Sequence, residues 1–213
     1  ATIHINSDYI PTGSVKVPVS EVSSFSAGDT IIIQRTPNQD WIDLLGMAWG
    51  ESGIVDWKPS TYKIDHQRII NDIHGDTLII DIPIIDPIQS GYGGGIVFLS
   101  NRNGLIENCG VENMFITSTY IHDEDEMHGW DAVKISFAEN CWVLNVTARY
   151  FGYSCVHLGE ASKYITVEEC AMLDPKSQNT GSRKYSFVAN DGFCNLFQRC
   201  YTRGGRHDFV TQD

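Results

Sequence analysis

Four short segments decide how this chain folds: Val111-Glu112-Asn113-Met114, Val143-Leu144-Asn145-Val146, Val167-Glu168-Glu169-Cys170 and Phe197-Gln198-Arg199-Cys200. Each sets an apolar residue, a free position, a polar residue and a second apolar residue or cysteine in the same order. A second set lies between them: Ala132-Val133-Lys134-Ile135, Cys155-Val156-His157-Leu158, Phe187-Val188-Ala189-Asn190 and Phe209-Val210-Thr211. With Val133, Val156, Val188 and Val210 taken as equivalent, the spacings are 23, 32 and 22 residues, so the period is about 22–24 with one insertion near 174–184.

Short β-runs at this period predict a parallel β-solenoid, in which each strand pairs with its copy one coil away. An α-solenoid needs a 3.6-residue period, and these runs are two-periodic. Leucine-rich repeats have a similar period, but their Leu and Asn pattern is absent. Asn113 and Asn145 fall at the same bend of successive coils, where asparagine tolerates left-handed backbone angles and can stack its amide into a ladder. Cys109 aligns with Cys141 and Cys170 with Cys200, so these pairs are expected to stack inside neighbouring coils. Val210-Thr211 opens a new turn of the repeat close to Asp213. That strand edge is expected to be covered by another chain or a further segment.

The preceding hundred residues read differently. Val15–Val19, Ile31–Ile33 after the Ser26-Ala27-Gly28-Asp29 turn, Arg68–Ile73 and Thr77–Ile82 around His74-Gly75-Asp76, and Ile96–Leu99 are strand-like runs between turn residues. They predict a small antiparallel β unit over residues 1–100, followed by parallel coils over 101–213. A segment carrying Trp41, Trp49 and Trp57 lies between the strands, with a short helix expected at Asp40–Met47. Its indoles either cover the β core or offer flat apolar faces to sugar rings.

Composition narrows the function. The chain has 213 residues, 27 acids against 15 bases and a net charge of −12, with 42% hydrophobic and 11% aromatic residues. That is enough apolar surface for a core, and the acidity excludes a general nucleic-acid binder with a basic face. No apolar run approaches the roughly 18 residues of a membrane span. Residues 1–130 hold 18 acids and 6 bases, whereas 131–213 hold 9 of each, so the basic character collects in the second half. The six cysteines form no C-x-x-C pair, which removes zinc-ribbon and thioredoxin motifs. Buried apolar thiols are expected, with disulfides left open. Ala1 in place of Met predicts a processed or partial chain, and Asn145-Val146-Thr147 fits a glycosylation sequon.

The asparagine bend, the inward apolar stacks and the preceding β unit make residues 104–211 resemble the right-handed parallel β-helix of the pectate-lyase superfamily, in its bacterial or viral members. The resemblance covers about half the chain and implies an all-β fold. It is weak for function, because β-helices host lyases, hydrolases, epimerases and non-enzymatic fibres. The calcium-dependent lyase pattern and the paired-Asp pattern of polygalacturonase-like hydrolases are not recognisable in this sequence.

Strand alternation is expected to turn Val133, Val156, Val188 and Val210 inward, with Lys134, His157, Phe187, Ala189, Phe209 and Thr211 outward. Lys134 and His157 then lie on adjacent coils, about 4.8 Å apart at the backbone. Loops entering that face carry His122, His128, Arg149, Tyr150, Tyr153, Arg183, Tyr185, Arg203, Arg206 and His207, and in the resembling family this face is the polysaccharide cleft. The residues suit an acidic glycan in a secreted or cell-surface setting. Arginines bind a uronate carboxylate bidentately, for which Arg149, Arg183 and Arg206 are candidates together with His207. β-Elimination needs a base and an acid: His157, of a residue type that titrates near neutrality, is the base candidate, and Tyr153 or Tyr185 the acid, with Lys134 beside them. A polysaccharide lyase is the leading expectation. A hydrolase would need two flanking carboxylates, for which Asp131 and Asp208 are at hand. A non-catalytic glycan-binding or structural β-helix, of tailspike or adhesin type, is the third reading. No cofactor is expected. Asp123-Glu124-Asp125-Glu126 is either a Ca²⁺ site or a solvated loop, and it lacks an EF-hand's spacing.

Overall fold

The computed structural model describes residues 1–47 and 57–212; Trp49 lies outside them. The chain is almost entirely β: one six-residue α-helix and one three-residue 3₁₀ turn are the helical elements among the described residues. It divides into two compact units, Ala1–Asn101 and Arg102–Asp213.

The first unit is built on an antiparallel sheet ordered Thr2–His4, Gly95–Leu99, Thr30–Arg35, Ile64–His74, Thr77–Ile80, Lys16–Pro18. Thr30–Arg35 shows the cause: four consecutive β-branched residues favour a strand and burial alternates along it, with Ile31, Ile33 and Arg35 buried. These isoleucines join Ile3, Val17, Ile70, Leu78 and Val97 in one apolar core. Gly75, with φ of 63°, supplies the left-handed angle of the two-residue turn between Ile64–His74 and Thr77–Ile80. The helix runs over Gln39–Leu44, shorter than expected; Asn38 caps it by accepting from the Trp41 N–H at 3.1 Å. Trp41 is buried and faces inward to the unit, with Arg35 4.0 Å over its ring. Trp57 and Tyr62 stack at 3.8 Å, and Trp41 lies about 6 Å from both. These rings are spent on one another.

The second unit consists of parallel sheets. The chain visits three of them in turn and then starts again. The first holds Ile106–Glu107, Ala138–Glu139 and Ser162–Lys163. The second holds Gly110–Thr117 and Trp142–Arg149, then the split strands Thr166–Glu168 with Ala171–Leu173 and Leu196–Gln198 with Tyr201–Arg203. The third holds Asp131–Ile135, Ser154–Leu158, Tyr185–Asn190 and His207–Gln212. In the second sheet Val111, Val143, Val167 and Phe197 are direct register partners, as their sequence alignment implies.

Left-handed residues make the corners, and they recur coil by coil. Asn108, Asn140, Tyr164 and Cys194 precede the second sheet, and Asn113, Asn145, Glu169 and Arg199 bend it, all with φ between 52° and 57°. Tyr150, Asp174 and Gly204 follow it, again at positive φ. Such angles cost an ordinary L-residue about 1–2 kcal/mol, so the ladders on either side must impose them where Asn and Gly are absent. At the bend, Asn145 donates to Asn113 Oδ1 at 2.8 Å, and the amide ladder then gives way to an ion pair, Arg199 Nε 3.4 Å from Glu169.

Two expectations are corrected. In the third sheet Val133 and Val156 pair with Phe187 and Phe209, while Lys134 and His157 pair with Val188 and Val210. The inward column therefore carries phenylalanine in its last two coils. Phe187 is fully buried, 5.2 Å from Phe209 and 6.0 Å from Phe197, and Val188 packs on the opposite side against Tyr153 and Tyr185. A one-residue slip exchanges the two faces of a strand. The cysteines are also not uniformly buried: Cys141, Cys155 and Cys170 are, but Cys109 and Cys194 are exposed, and all six are free thiols. Burial pushes the Cys170 thiol up to about 11 and Cys155 higher still, which keeps both protonated and inert.

Candidate functional site

One aromatic ring stands at the start of each third-sheet strand. Trp130 and Tyr153 lie 6.1 Å apart and nearly parallel; Tyr153 and Tyr185 are separated by 5.5 Å, and Tyr185 and His207 by 5.1 Å. The spacing follows from the ladder, since strands about 4.8 Å apart bring equivalent residues into contact. Tyr153 and Tyr185 are buried, Trp130 is half-buried and His207 is exposed. Val188 and Val210 complete the apolar floor.

These rings also explain the slip in register. Tyr153 lies against Tyr185 while Val156 pairs with Phe187, so the second coil carries one more residue between ring and ladder than the third. Cys155 and Val156 accordingly both pack into the core, where strict alternation would separate them. The 32-residue spacing is the ring-to-ring distance in sequence.

Cations and a polar group edge the column. Arg183 lies 5.5 Å over Trp130; Arg206 lies 5.9 Å from the Tyr185 ring and donates to its hydroxyl at 3.1 Å. Asp131 accepts from the Ser154 hydroxyl at 2.6 Å, and His157 Nδ1 is 3.5 Å from the same carboxylate oxygen. The His157 ring meets Tyr153 edge-on at 5.5 Å. Burial first, then Asp131 and Tyr185, raises the Tyr153 phenol above its ordinary value, so it stays neutral and able to donate. His157 is only 8% exposed, against the expectation of an open outward position: Tyr153 leans on it, and Lys134 and Val188 flank it along the ladder. Lys134 itself is exposed.

The contacts thus link His157, Lys134, Tyr153, Tyr185, Arg183, Arg206 and His207 into one neighbourhood. Arg149 makes its contacts elsewhere, over the Tyr150 ring at 4.4 Å and 3.5 Å from Asp174. Trp130 and Ser154 join the neighbourhood without having been singled out in the sequence. The signal for Trp130 was present: aromatic residues at 130, 153 and 185 repeat the spacing of the valines.

The acidic run is a strap. Asp123 pairs with Lys176 at 2.8 Å, Glu126 binds Arg183 through two nitrogens at 2.6 and 3.1 Å, and Asp125 accepts from the Ile121 and Met127 N–H groups. Each of these partners holds its carboxyl below the usual range. His128 bridges the Ser118 hydroxyl at 2.9 Å and the Lys176 carbonyl at 2.7 Å. The loop after Thr117 is so tied to the 174–184 insertion. Among the described residues, no group of three or more His, Cys, Asp or Glu side chains is placed to hold a metal.

No family model and no curated protein matches the chain. Several solved structures show similarity, three phage tailspikes among them. The Gp54 tailspike of Acinetobacter baumannii bacteriophage AP22, solved with A. baumannii capsular saccharide, is 9% identical with a TM-score of 0.43, over 98% of this chain and 40% of that one. The Pseudomonas phage phi297 tailspike gp61 is 14% identical with a TM-score of 0.41, over 92% and 31%. The tailspike gp49 from Pseudomonas phage LKA1 is 10% identical with a TM-score of 0.39, over 99% and 41%. The chain spans well under half the length of each.

Proposed function

We propose that residues 102–212 are coils of a right-handed parallel β-helix and that the column Trp130, Tyr153, Tyr185, His207 is the binding face for an acidic polysaccharide outside the cell. The observation that carries this reading is the repetition of one ring per coil with Arg183 and Arg206 laid across it. Half-buried Trp130 and exposed His207 offer ring surface to sugar C–H faces, with Tyr153 and Tyr185 buried between them as their support, and guanidinium groups pair with carboxylates. A chain of charge −12 repels a polyanion except where cations gather, and since Arg183 is engaged by Glu126, the exposed Arg206 and Lys134 must supply that attraction. The test is binding to acidic and neutral polysaccharides at low and high salt. Acidic polymers are expected to bind and to be released by salt; equal binding of neutral polymers overturns the reading.

The adjacency of Asp131, His157 and Tyr153 favours a second reading, lysis by β-elimination. His157 would take the proton beside the uronate carboxylate, its electron pair would form the double bond, the bond to the leaving oxygen would break, and the Tyr153 phenol would protonate that oxygen. Tyr153 must shift for a sugar to reach His157. A pair of carboxylates for hydrolysis is less well supported, since Asp131 is engaged by Ser154 and Asp208 by Thr202. His157→Ala is expected to cut formation of the unsaturated product by about 10²–10⁴-fold with binding retained. Full activity in that variant removes His157 from the role of base; no unsaturated product from the unaltered chain leaves a binding face alone.

A further inference from the structure

A second cluster of cations and rings lies at the corner that follows the second sheet. Tyr120 and Tyr150 meet edge to face at 4.9 Å. Arg149 covers Tyr150 at 4.4 Å, and Lys176 sits 5.0 Å over Tyr120 and 5.6 Å over Tyr150. Arg149 and Arg203 occupy the same strand position two coils apart, with Leu173 between them. Both point at one carboxylate. Arg203 donates to Asp174 through Nε at 2.9 Å and through a terminal nitrogen at 2.7 Å, and Arg149 Nε lies 3.5 Å from Asp174. The Arg203 hydrogen bonds and charge hold Asp174 below the ordinary carboxylate range. The arginine side chains are 40% and 54% exposed, so the cluster is open to a ligand.

The geometry of Asp174 is that of a bound acid: one carboxylate between two guanidinium groups, beside an aromatic pair. We propose that this corner is a second anion seat of the glycan-binding face, filled in the free protein by the Asp174 side chain, which an acidic sugar displaces. Tyr150 and Tyr153 are three residues apart and so within about 11 Å of each other, and the Ser177 hydroxyl and Lys176 N–H bind the Gly152 and Phe151 carbonyls between them. One oligosaccharide therefore reaches both seats. This rests on the glycan reading above and narrows its ligand to a polymer with acidic sugars at repeated positions.

Calorimetric titration with a uronate disaccharide and a uronate hexasaccharide tests it. The hexasaccharide is expected to bind the unaltered chain more tightly than the disaccharide. Asp174→Asn removes the competing negative charge from the seat while keeping a residue suited to its left-handed backbone; it is expected to tighten hexasaccharide binding roughly three- to fivefold, a gain that misfolding cannot produce. Tyr150→Asn, at another left-handed position, is expected to reduce the hexasaccharide to disaccharide affinity. If Asp174→Asn gives no gain while Arg206→Ala still weakens binding about tenfold, the second seat is wrong and the glycan reading stands. If neither oligosaccharide binds the unaltered chain or Asp174→Asn, both fall.

Discussion

The two units each carry an aromatic cluster, and the clusters are built on opposite logic. In the first unit Trp41, Trp57 and Tyr62 come from a connecting segment and close on one another, with Arg35 capping the stack from a buried strand. In the second, Trp130, Tyr153, Tyr185 and His207 come from four successive coils, and the ladder fixes their separation. A stack that satisfies itself stabilises a loop. A row with a period set by backbone pairing buries its middle rings, Tyr153 and Tyr185, and leaves half-buried Trp130 and exposed His207 at its ends, where the proposed ligand would meet it.

The contrast can be broken or sharpened by experiment. The largest effect is expected in the interior of the coils. Phe187→Ala should cost about 3–5 kcal/mol in denaturant unfolding, as for other buried aromatic truncations, and more than Val188→Ala; the reverse order would restore the valine register. Next comes acid. Burial, reinforced by Arg68 and Arg35 and partly opposed by Asp86, lowers His66 from 6.5 to about 4. The unfolded chain therefore binds the proton more readily, so stability is full above pH 6.5 and falls as pH drops toward 4, by on the order of 3 kcal/mol. His66→Gln should flatten that slope in unfolding measured across this range. A third test compares the clusters directly. Arg206→Ala should weaken acidic-glycan binding about tenfold, whereas Trp57→Ala should leave it unchanged; loss in both would mean that the first unit's rings also meet ligand. The smallest effect belongs to the bend. Asn145→Ala removes an amide hydrogen bond and a left-handed preference, and should cost about 1 kcal/mol in the same unfolding experiment.

How much of this was legible depends on where periodicity was unbroken. The second sheet could be read residue by residue, because its apolar position and its left-handed bend recur together: Val111 with Asn113, Val143 with Asn145. The third sheet misled at Phe187, where the extra residue of the second coil moves the ladder but not the rings, and sequence spacing reports only their sum. Side-chain partnerships were not legible at all. Nothing in the order of residues shows that Asp131 lies against both Ser154 and His157, that Arg149 reaches Asp174, or that the acidic run reaches across to Lys176 and Arg183, since each is a contact between coils.

The left-handed corner after the second sheet has an architectural consequence. From Thr117 to Trp130 and from Asp174 to Tyr185 the path is long, whereas from Tyr150 to Tyr153 and from Gly204 to His207 it is short, yet the strands before and after keep their pairing in every coil. The corner works as a joint at which chain can be spliced in without disturbing the scaffold. If this face binds the proposed glycan, its recognition would be modular: exchanging the two long excursions would rewrite which ligand is met, while the coils beneath go on stacking as before.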